Sequence, residues 1–211
     1  MMKLRSLIER TTMYQALEFA SMNQELIGIS KQTMSSHYKL YEGYVKKANE
    51  IIEKLEKVDR DATLANQTYS EIRELKVELS FAIGGIKNHV NYFTILGGDG
   101  GQPTKSLLDQ IIKDFGSFEN WSADLKASAI AARGWVWLAY DWDSKKLFNF
   151  IGDSQNSYPI WNCTMLLALD TYEHAYWLDY QQNRAGYIDD FMKNINWKPV
   201  EELWQMVSPT K

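Results

Sequence analysis

The fold is decided by residues 165–176, which read MLLALDTYEHAY. The first five residues form an apolar run of strand length, and the run ends at an acid, Asp170. His174 follows four residues later, so one strand-to-helix corner is expected to aim a carboxylate and an imidazole at a common point. The only other histidines of the chain are His37 and His89. These four side chains are the first candidates for a functional site.

The first half of the chain has a helical pattern. Apolar and aromatic residues recur with a period near 3.6 over residues 30–55, and Ser30 is a suitable N-cap. A second periodic run covers residues 72–93 and stops at the glycine-rich segment 97–101, GGDGG. That segment lacks the Lys-Ser/Thr ending of a phosphate-binding loop, so we interpret it as a linker. The prediction is an N-terminal helical hairpin domain over residues 1–97.

The second half changes character. Two short helices are expected at 104–115 and 117–133. Three β-like runs follow, at 135–140, 147–151 and 165–169, and a five-residue polar turn joins the first two as a hairpin. Helical periodicity then returns through Trp177, Tyr180, Tyr187, Phe191 and Ile195. Residues 98–211 are thus predicted to form a C-terminal domain with a three-stranded antiparallel sheet flanked by helices, and the whole chain to be α+β.

The composition excludes several functions. The net charge is −4, so no overall basic field for nucleic acid is present. No apolar run approaches the roughly 18 residues of a membrane span. The lone Cys163 excludes a disulfide framework and a cysteine-based zinc site. Residues Met1 to Ile8 lack the apolar core of a secretion signal, and the expected location is the cytoplasm.

The three histidines and the acid predict a metal site. If the two N-terminal helices are antiparallel, His37 and His89 meet across them, as ligands do in bundle cores. Three imidazoles and one carboxylate bind a first-row transition ion and leave a position open for solvent or substrate. Any one of these histidines alone is more simply explained as a hydrogen-bonded core or interface residue, and it is the three together with the acid that indicate a metal. A non-haem iron oxygenase needs only two histidines, and the His-Glu-x-x-His pattern of zinc hydrolases is absent.

Several segments resemble one family. Residues 170–176, DTYEHAY, resemble the signature of the iron/manganese superoxide dismutases, whose usual form has Trp at the position of Tyr172. Residues 84–89, GGIKNH, resemble the segment that carries the second ligand of that family. The similarity continues in the same order through residues 114–118, 134–138 and 194–197, and it covers most of the chain, from about Ile29 to Trp204.

The resemblance implies a metal site and an activity. It makes His37, His89, Asp170 and His174 the ligands of one manganese or iron ion, with a solvent molecule completing the site. Gln155 falls where the manganese enzymes place a glutamine that hydrogen-bonds that solvent. Iron enzymes usually supply it from the position of Gly85, so the pairing favours manganese. The implied reaction is the disproportionation of superoxide to dioxygen and hydrogen peroxide.

The resemblance also implies an assembly. Glu173 would reach across a homodimer interface to His174 of the partner subunit and fix the tautomer of that imidazole. A solvated glutamate at a helix start is the alternative. Lys39 and Arg184 are candidates for attracting the anionic substrate at the mouth of the site, or else for surface salt bridges.

The first-ligand helix departs from the family pattern. The family has eight residues from the ligand to a gateway tyrosine, whereas His37 and Tyr44 are seven apart. Counting back eight would make Ser36 the ligand, but a hydroxyl is a poor ligand for these metals, so we prefer His37 with one residue deleted after it. Seven steps of a regular helix keep Tyr44 on the face of His37, and the hypothesis is that the chain lacks a helical bulge and keeps Tyr44 at the substrate mouth. Tyr41 is the competing gateway residue.

Other family positions are also changed. A second histidine four residues after the first ligand is absent, and Leu40 or Tyr41 takes its place. Phe93 and Tyr172 stand where Trp is usual, and Trp177 stands where the family has an interface tyrosine that binds the absent histidine. With Trp135, these rings are expected to maintain the wall around the metal. The alternative function is a catalytically impaired protein of this fold that serves as a metal-binding or interaction module.

Overall fold

The computed structural model describes residues 13–156 and 161–208. The expectation about Met1 to Ile8 lies outside these residues. The main elements of the described part are, in chain order, α1 (Lys31–Lys57), α2 (Glu71–Thr94), α3 (Lys105–Phe115), α4 (Phe118–Ala131), β1 (Trp135–Asp141), β2 (Lys146–Gly152), β3 (Cys163–Asp170), α5 (Trp177–Tyr180), α6 (Arg184–Lys193) and α7 (Trp197–Val207). A 3-10 turn, Glu173–Ala175, connects β3 to α5. Among these helices, none combines the length and the apolar content needed to cross a bilayer.

Helices α1 and α2 pack as the predicted antiparallel hairpin. Ser30 caps α1, because its side-chain oxygen accepts the backbone N–H of Thr33 at 3.1 Å. Gly85 of α2 allows the two helices to approach closely, since a Cβ at this position would lie 2.7 Å from the ring of Tyr44. The apolar stripes of both helices therefore face each other and the rest of the core.

The three strands form one antiparallel sheet in the order β2-β1-β3. Its central strand begins at Trp135, which pairs with Gly152 on one side and with Asp170 on the other. Residues 135–140 are all buried, so the sheet forms the centre of the C-terminal core. The predicted class, α+β with a helical hairpin followed by a three-stranded sheet and helices, is confirmed.

The C-terminal helical region differs from the periodicity of the sequence. The apolar pattern over residues 177–195 suggested continuous helix, but α5 ends at Tyr180. Gln181 adopts φ +49°, a left-handed conformation that stops a helix, and Asn183 then caps α6 by accepting the N–H of Gly186. The break turns α6 back on the core, where Tyr187 is fully buried.

The glycine-rich segment is held against the end of α6. The N–H groups of Gly98 and Gly100 donate to the backbone oxygens of Asn194 and Ile195. Gly97, Gly100 and Gly101 have positive φ angles, which side chains rarely tolerate. The linker is therefore a fixed connection that ties the C-terminal end of α2 to the start of α3.

Candidate metal centre

Four predicted side chains come together from four elements. His37 lies in α1, His89 in α2, Asp170 at the last position of β3, and His174 in the 3-10 turn that follows. The three Nε2 atoms lie 3.0, 3.7 and 3.1 Å from Oδ2 of Asp170, in that order. One ligand atom from each of the four residues lies within 4.8 Å of the other three. This is the donor set of a mononuclear transition-metal site.

Burial keeps two of the imidazoles neutral. His37 and His89 are almost fully buried, and desolvation lowers the pKa of His37 and lowers the pKa of His89 to about 3. Burial by itself would raise the pKa of Asp170, but His174 and His37 hold that pKa below its usual range. Burial would lower the pKa of His174, but the charge of Asp170 raises it. The site therefore presents a carboxylate and two neutral imidazoles, the protonation states that metal ligands need.

The histidines also show unsatisfied nitrogen atoms. His89 donates from Nδ1 to the backbone oxygen of Gly85 at 2.6 Å, which leaves the lone pair of Nε2 facing the cluster. Nε2 of His89 and Nδ1 of His37 are buried without a hydrogen-bond partner among the described residues. A buried nitrogen without a partner costs free energy, and a bound cation at the centre would remove that cost for Nε2 of His89. The residues present fit a manganese or iron ion.

The amide of Gln155 lies beside the cluster in a fixed orientation. Its Oε1 accepts hydrogen bonds from Nε1 of Trp135 at 3.0 Å and from Nδ2 of Asn88 at 3.4 Å. Its Nε2 donates to the hydroxyl of Tyr44 at 3.3 Å. Asn88 is itself oriented by Nε1 of Trp137, at 3.2 Å. Gln155 is 1% exposed, so its amide is shielded from water.

Sequence reasoning assigned no function to Asn88 or Trp137. A signal for both was present, since Asn88 precedes the second predicted ligand and Trp137 is two residues after Trp135, on the same face of β1. That signal identifies the face and gives no partner. Trp137 binds Asn88, and the partner of Asn88 is Gln155, which belongs to the segment after β2.

Helix α1 is regular between His37 and Tyr44, where the chain is one residue shorter than the family pattern. Residues 31–57 are α-helical without a π turn, and the Tyr44 ring lies 5.4 Å from the ring of His89. Tyr41 is fully buried, and its hydroxyl accepts the backbone N–H of Leu17 at 3.0 Å. Ser36 is exposed and stands outside the four-residue group.

The predicted aromatic wall surrounds the imidazoles. The ring centroid of Phe93 lies 5.0 Å from that of His37, and the Trp135 centroid lies 5.2 Å from that of His89. Tyr172 stacks on the third predicted ligand imidazole, at 5.2 Å and an interplanar angle of 17°. These rings limit the access of water to the centre.

Four other predicted residues stand outside the group. Glu173 and Trp177 are on the surface, and Trp177 is 45% exposed. Lys39 is also exposed. Arg184 donates from Nη1 to the backbone oxygen of Ala132 at 2.8 Å. Its guanidinium therefore holds the segment between α4 and β1.

Comparison with known proteins agrees with this architecture. Residues 14–97 match the family model of the alpha-hairpin domain of iron/manganese superoxide dismutases, and residues 103–203 match that of the C-terminal domain. The chain is similar to a superoxide dismutase [Fe] of Aquifex aeolicus, with 44% identity over 86% of this chain and 87% of that protein. It shares 34% identity with a superoxide dismutase [Fe] of Methanothermobacter thermautotrophicus, over 84% and 87% of the two chains. Identity with superoxide dismutase [Mn] 1 of Halobacterium salinarum is 32%, over 84% and 88%.

The fold and the site therefore define a metalloprotein with a helical hairpin followed by a small α+β domain. The chain belongs to the iron/manganese superoxide dismutase family.

Proposed function

We propose that the protein is a superoxide dismutase that uses one manganese or iron ion held by His37, His89, Asp170 and His174. The observation that carries this proposal is the convergence of three imidazole Nε2 atoms on one carboxylate oxygen in a buried site. The family of the chain and the activity for which its relatives are named support it.

When bound, the ion would supply one-electron redox chemistry, by which one superoxide is oxidised to dioxygen and a second, with two protons, is reduced to hydrogen peroxide. Asp170 contributes a buried negative charge that favours the more highly charged state of the ion. The buried imidazoles contribute neutral donors, and Gly85 fixes the tautomer of His89 through its carbonyl oxygen.

Gln155 and Tyr44 are proposed to act on the solvent ligand and on substrate entry. The Gln155 amide is held by donors on Oε1, so its Nε2 is the end that can donate toward the site and toward Tyr44. Through such a hydrogen bond, Gln155 would adjust the reduction potential of the ion. Tyr44 is partly buried and lines an external cavity of about 450 Å³.

The metal preference is proposed as manganese, with iron as the second choice. Gln155 comes from the segment after β2, and Gly85 leaves no side chain at the other position from which a glutamine could come. The relatives named above carry either metal in their names, so both belong in the test.

The active form is proposed to be a homodimer. Trp177 and Leu178 are 45% and 55% exposed, and they follow the exposed Glu173 by four and five residues along the chain. An interface over this surface would bury these apolar side chains and bring Glu173 close to His174 of the partner subunit. Sedimentation tests this directly, since a purified protein that remains monomeric at micromolar concentration contradicts the dimer.

Two further proposals concern organisation and location. We place the domain boundary between residues 97 and 98, and the separate family matches to residues 14–97 and 103–203 support it. We propose the cytoplasm as the location, because a chain with a single cysteine suits a reducing compartment. The proposed partners are superoxide and a second copy of the chain, without nucleic acid or membrane.

The decisive experiment is reconstitution of the metal-free protein with manganese and with iron separately. Metal content is measured first, and superoxide decay is then followed for each form. The proposal expects about one ion per chain and rapid decay with at least one metal. Stoichiometric metal without accelerated decay would support the alternative, a catalytically impaired metal-binding module.

A further inference from the structure

A row of phenol rings leads from the metal centre toward α5 and α6. The ring centroid of Tyr92 lies 4.9 Å from that of His37. The hydroxyl oxygens of Tyr92 and Tyr187 are 3.2 Å apart, and the ring of Tyr180 lies 5.9 Å from that of Tyr187. Tyr92 and Tyr187 are fully buried, whereas Tyr180 is partly exposed. The row thus connects a predicted ligand with a side chain that reaches solvent.

The hydrogen bonds distinguish the two ends of this row. Tyr187 donates its single hydroxyl hydrogen to the backbone oxygen of Asp170 at 2.9 Å, so its oxygen accepts the hydrogen of Tyr92. Carbonyl and phenol oxygens are weak bases, and neither buried phenol has an acceptor that can keep its proton. Tyr180 donates to Oδ2 of Asp190 at 2.6 Å, and a carboxylate can take a proton.

A side branch of the row is less favourable. Tyr176 also stacks on Tyr187, with ring centroids 5.1 Å apart. The guanidinium carbon of Arg184 lies 5.7 Å from the Tyr176 ring centroid, and Nε of Arg184 donates to the Tyr176 hydroxyl. A cation over the ring makes removal of an electron harder, and a hydrogen-bond donor cannot accept the phenol proton. Tyr180 is therefore the phenol from which an electron and a proton leave together most easily.

We infer that Tyr92, Tyr187 and Tyr180 conduct oxidising equivalents away from the metal centre, so that peroxide reacting there oxidises Tyr180 instead of the ligands. The inference rests on the proposed function, which supplies the ion and the peroxide. One molecule of hydrogen peroxide takes one electron from the divalent ion and one from Tyr180, and with two protons from solvent it becomes two molecules of water. The ion is left trivalent.

The proton of Tyr180 passes to Asp190 in the same step, and the product is a neutral tyrosyl radical. A thiol in solution then gives a hydrogen atom to the Tyr180 oxygen, and Asp190 releases its proton. Phenylalanine is much harder to oxidise than tyrosine, so a single Tyr→Phe change interrupts the row while it keeps a ring of nearly the same size.

The test uses the iron-loaded protein, reduced and then mixed with hydrogen peroxide. Metal content and superoxide decay are measured first on the same preparation. We expect the electron paramagnetic resonance signal of a neutral tyrosyl radical in frozen samples, and oxidised Tyr180 in peptides analysed by mass spectrometry. Tyr180→Phe and Tyr187→Phe should each lose the radical signal and shift oxidation to Trp135. Tyr69→Phe, at a side chain that is 73% exposed, is the control and should behave like the wild type.

An unchanged radical signal and an unchanged oxidation pattern in both variants would overturn the inference, even in a fully active dismutase. Iron-loaded protein that does not accelerate superoxide decay would contradict the proposed function alone. Peroxide still reacts with the reduced ion in that protein, so the oxidation pattern still tests whether the tyrosine row conducts oxidising equivalents. A chain that binds neither metal contradicts both. If Tyr187→Phe fails to fold, Tyr180→Phe decides, since this residue is outside the buried core.

Discussion

A single amide joins the side chains that surround the proposed solvent ligand. Gln155 connects Trp135 and Asn88 with Tyr44 through its two ends. Gln155→Ala should lower the rate of superoxide decay about 10–100-fold, because the solvent loses the donor that orients it. The matched control is Asn156→Ala, since Asn156 donates to the hydroxyl of Ser80 at the surface. Equal rates for the two variants would contradict the role of Gln155.

The gateway role is also a property of one residue. Tyr44→Phe removes the hydroxyl that accepts from Gln155, and we expect slower catalysis and a changed degree of inhibition by peroxide. Tyr41→Phe is the comparison, because the Tyr41 hydroxyl binds Leu17 and should affect stability more than catalysis. Stopped-flow decay of superoxide measures both effects. Unchanged kinetics for Tyr44→Phe, with altered kinetics for Tyr41→Phe, would transfer the role to Tyr41.

The close packing of α1 on α2 depends on one glycine. A Cβ on Gly85 would lie 2.7 Å from the Tyr44 ring, so Gly85→Ala should lower the free energy of unfolding by about 1–3 kcal/mol. Gly43 lies in α1 with no atom within 4 Å of an added Cβ. Gly43→Ala should therefore raise the free energy of unfolding by about 0.5–1 kcal/mol. Urea unfolding of both variants gives the comparison, and a stabilised Gly85→Ala would show that the packing is looser than described.

The periodic elements could be predicted from the sequence, and the break after α5 could not. The apolar residues of α1 and α2 recur over a long stretch with the helical period, and the three strands are short apolar runs with clear ends. Both patterns follow from the local geometry of the chain. The end of α5 depends on the left-handed conformation of Gln181. Glutamine carries no local preference for that conformation, so the cause lies in the packing of Tyr187 and the rest of α6 on the core.

The same difference separates the parts of the site. His37 and His89 could be placed together because helical periodicity sets their faces, and the end of a strand sets the position of Asp170. The contact of Asn88 with Gln155 depends on a close approach of the segment after β2 to Gly84, whose added Cβ would collide with the backbone oxygen of Gln155. The apolar pattern of neither segment predicts that the two segments come this close.

The stability of the whole metal-free molecule should depend on pH. The folded-state pKa values of His37 and His89 are lowered by burial, so the unfolded chain binds more protons below about pH 6.5. The stability that these neutral imidazoles provide is present above the unfolded pKa and is lost as the pH falls. The raised pKa of His174 has the opposite effect, because this group stabilises the folded state at low pH. It is one residue, whereas two histidines have lowered pKa values.

The expected loss is on the order of 2 kcal/mol between about pH 7 and pH 5 for His89 alone. Urea unfolding of the metal-free protein at these pH values measures it, with the manganese-loaded protein as the comparison. A metal-free protein that is equally stable at both pH values would mean that the two imidazoles are accessible to protons in the folded state.

The central claim for the whole molecule is that side chains from both domains hold one ion. Anomalous X-ray diffraction from crystals of the manganese-loaded protein tests it most directly. We expect a single strong manganese peak per chain at bonding distance from His37, His89, Asp170 and His174. A peak at any other position, or these four side chains directed to separate places, would contradict the account.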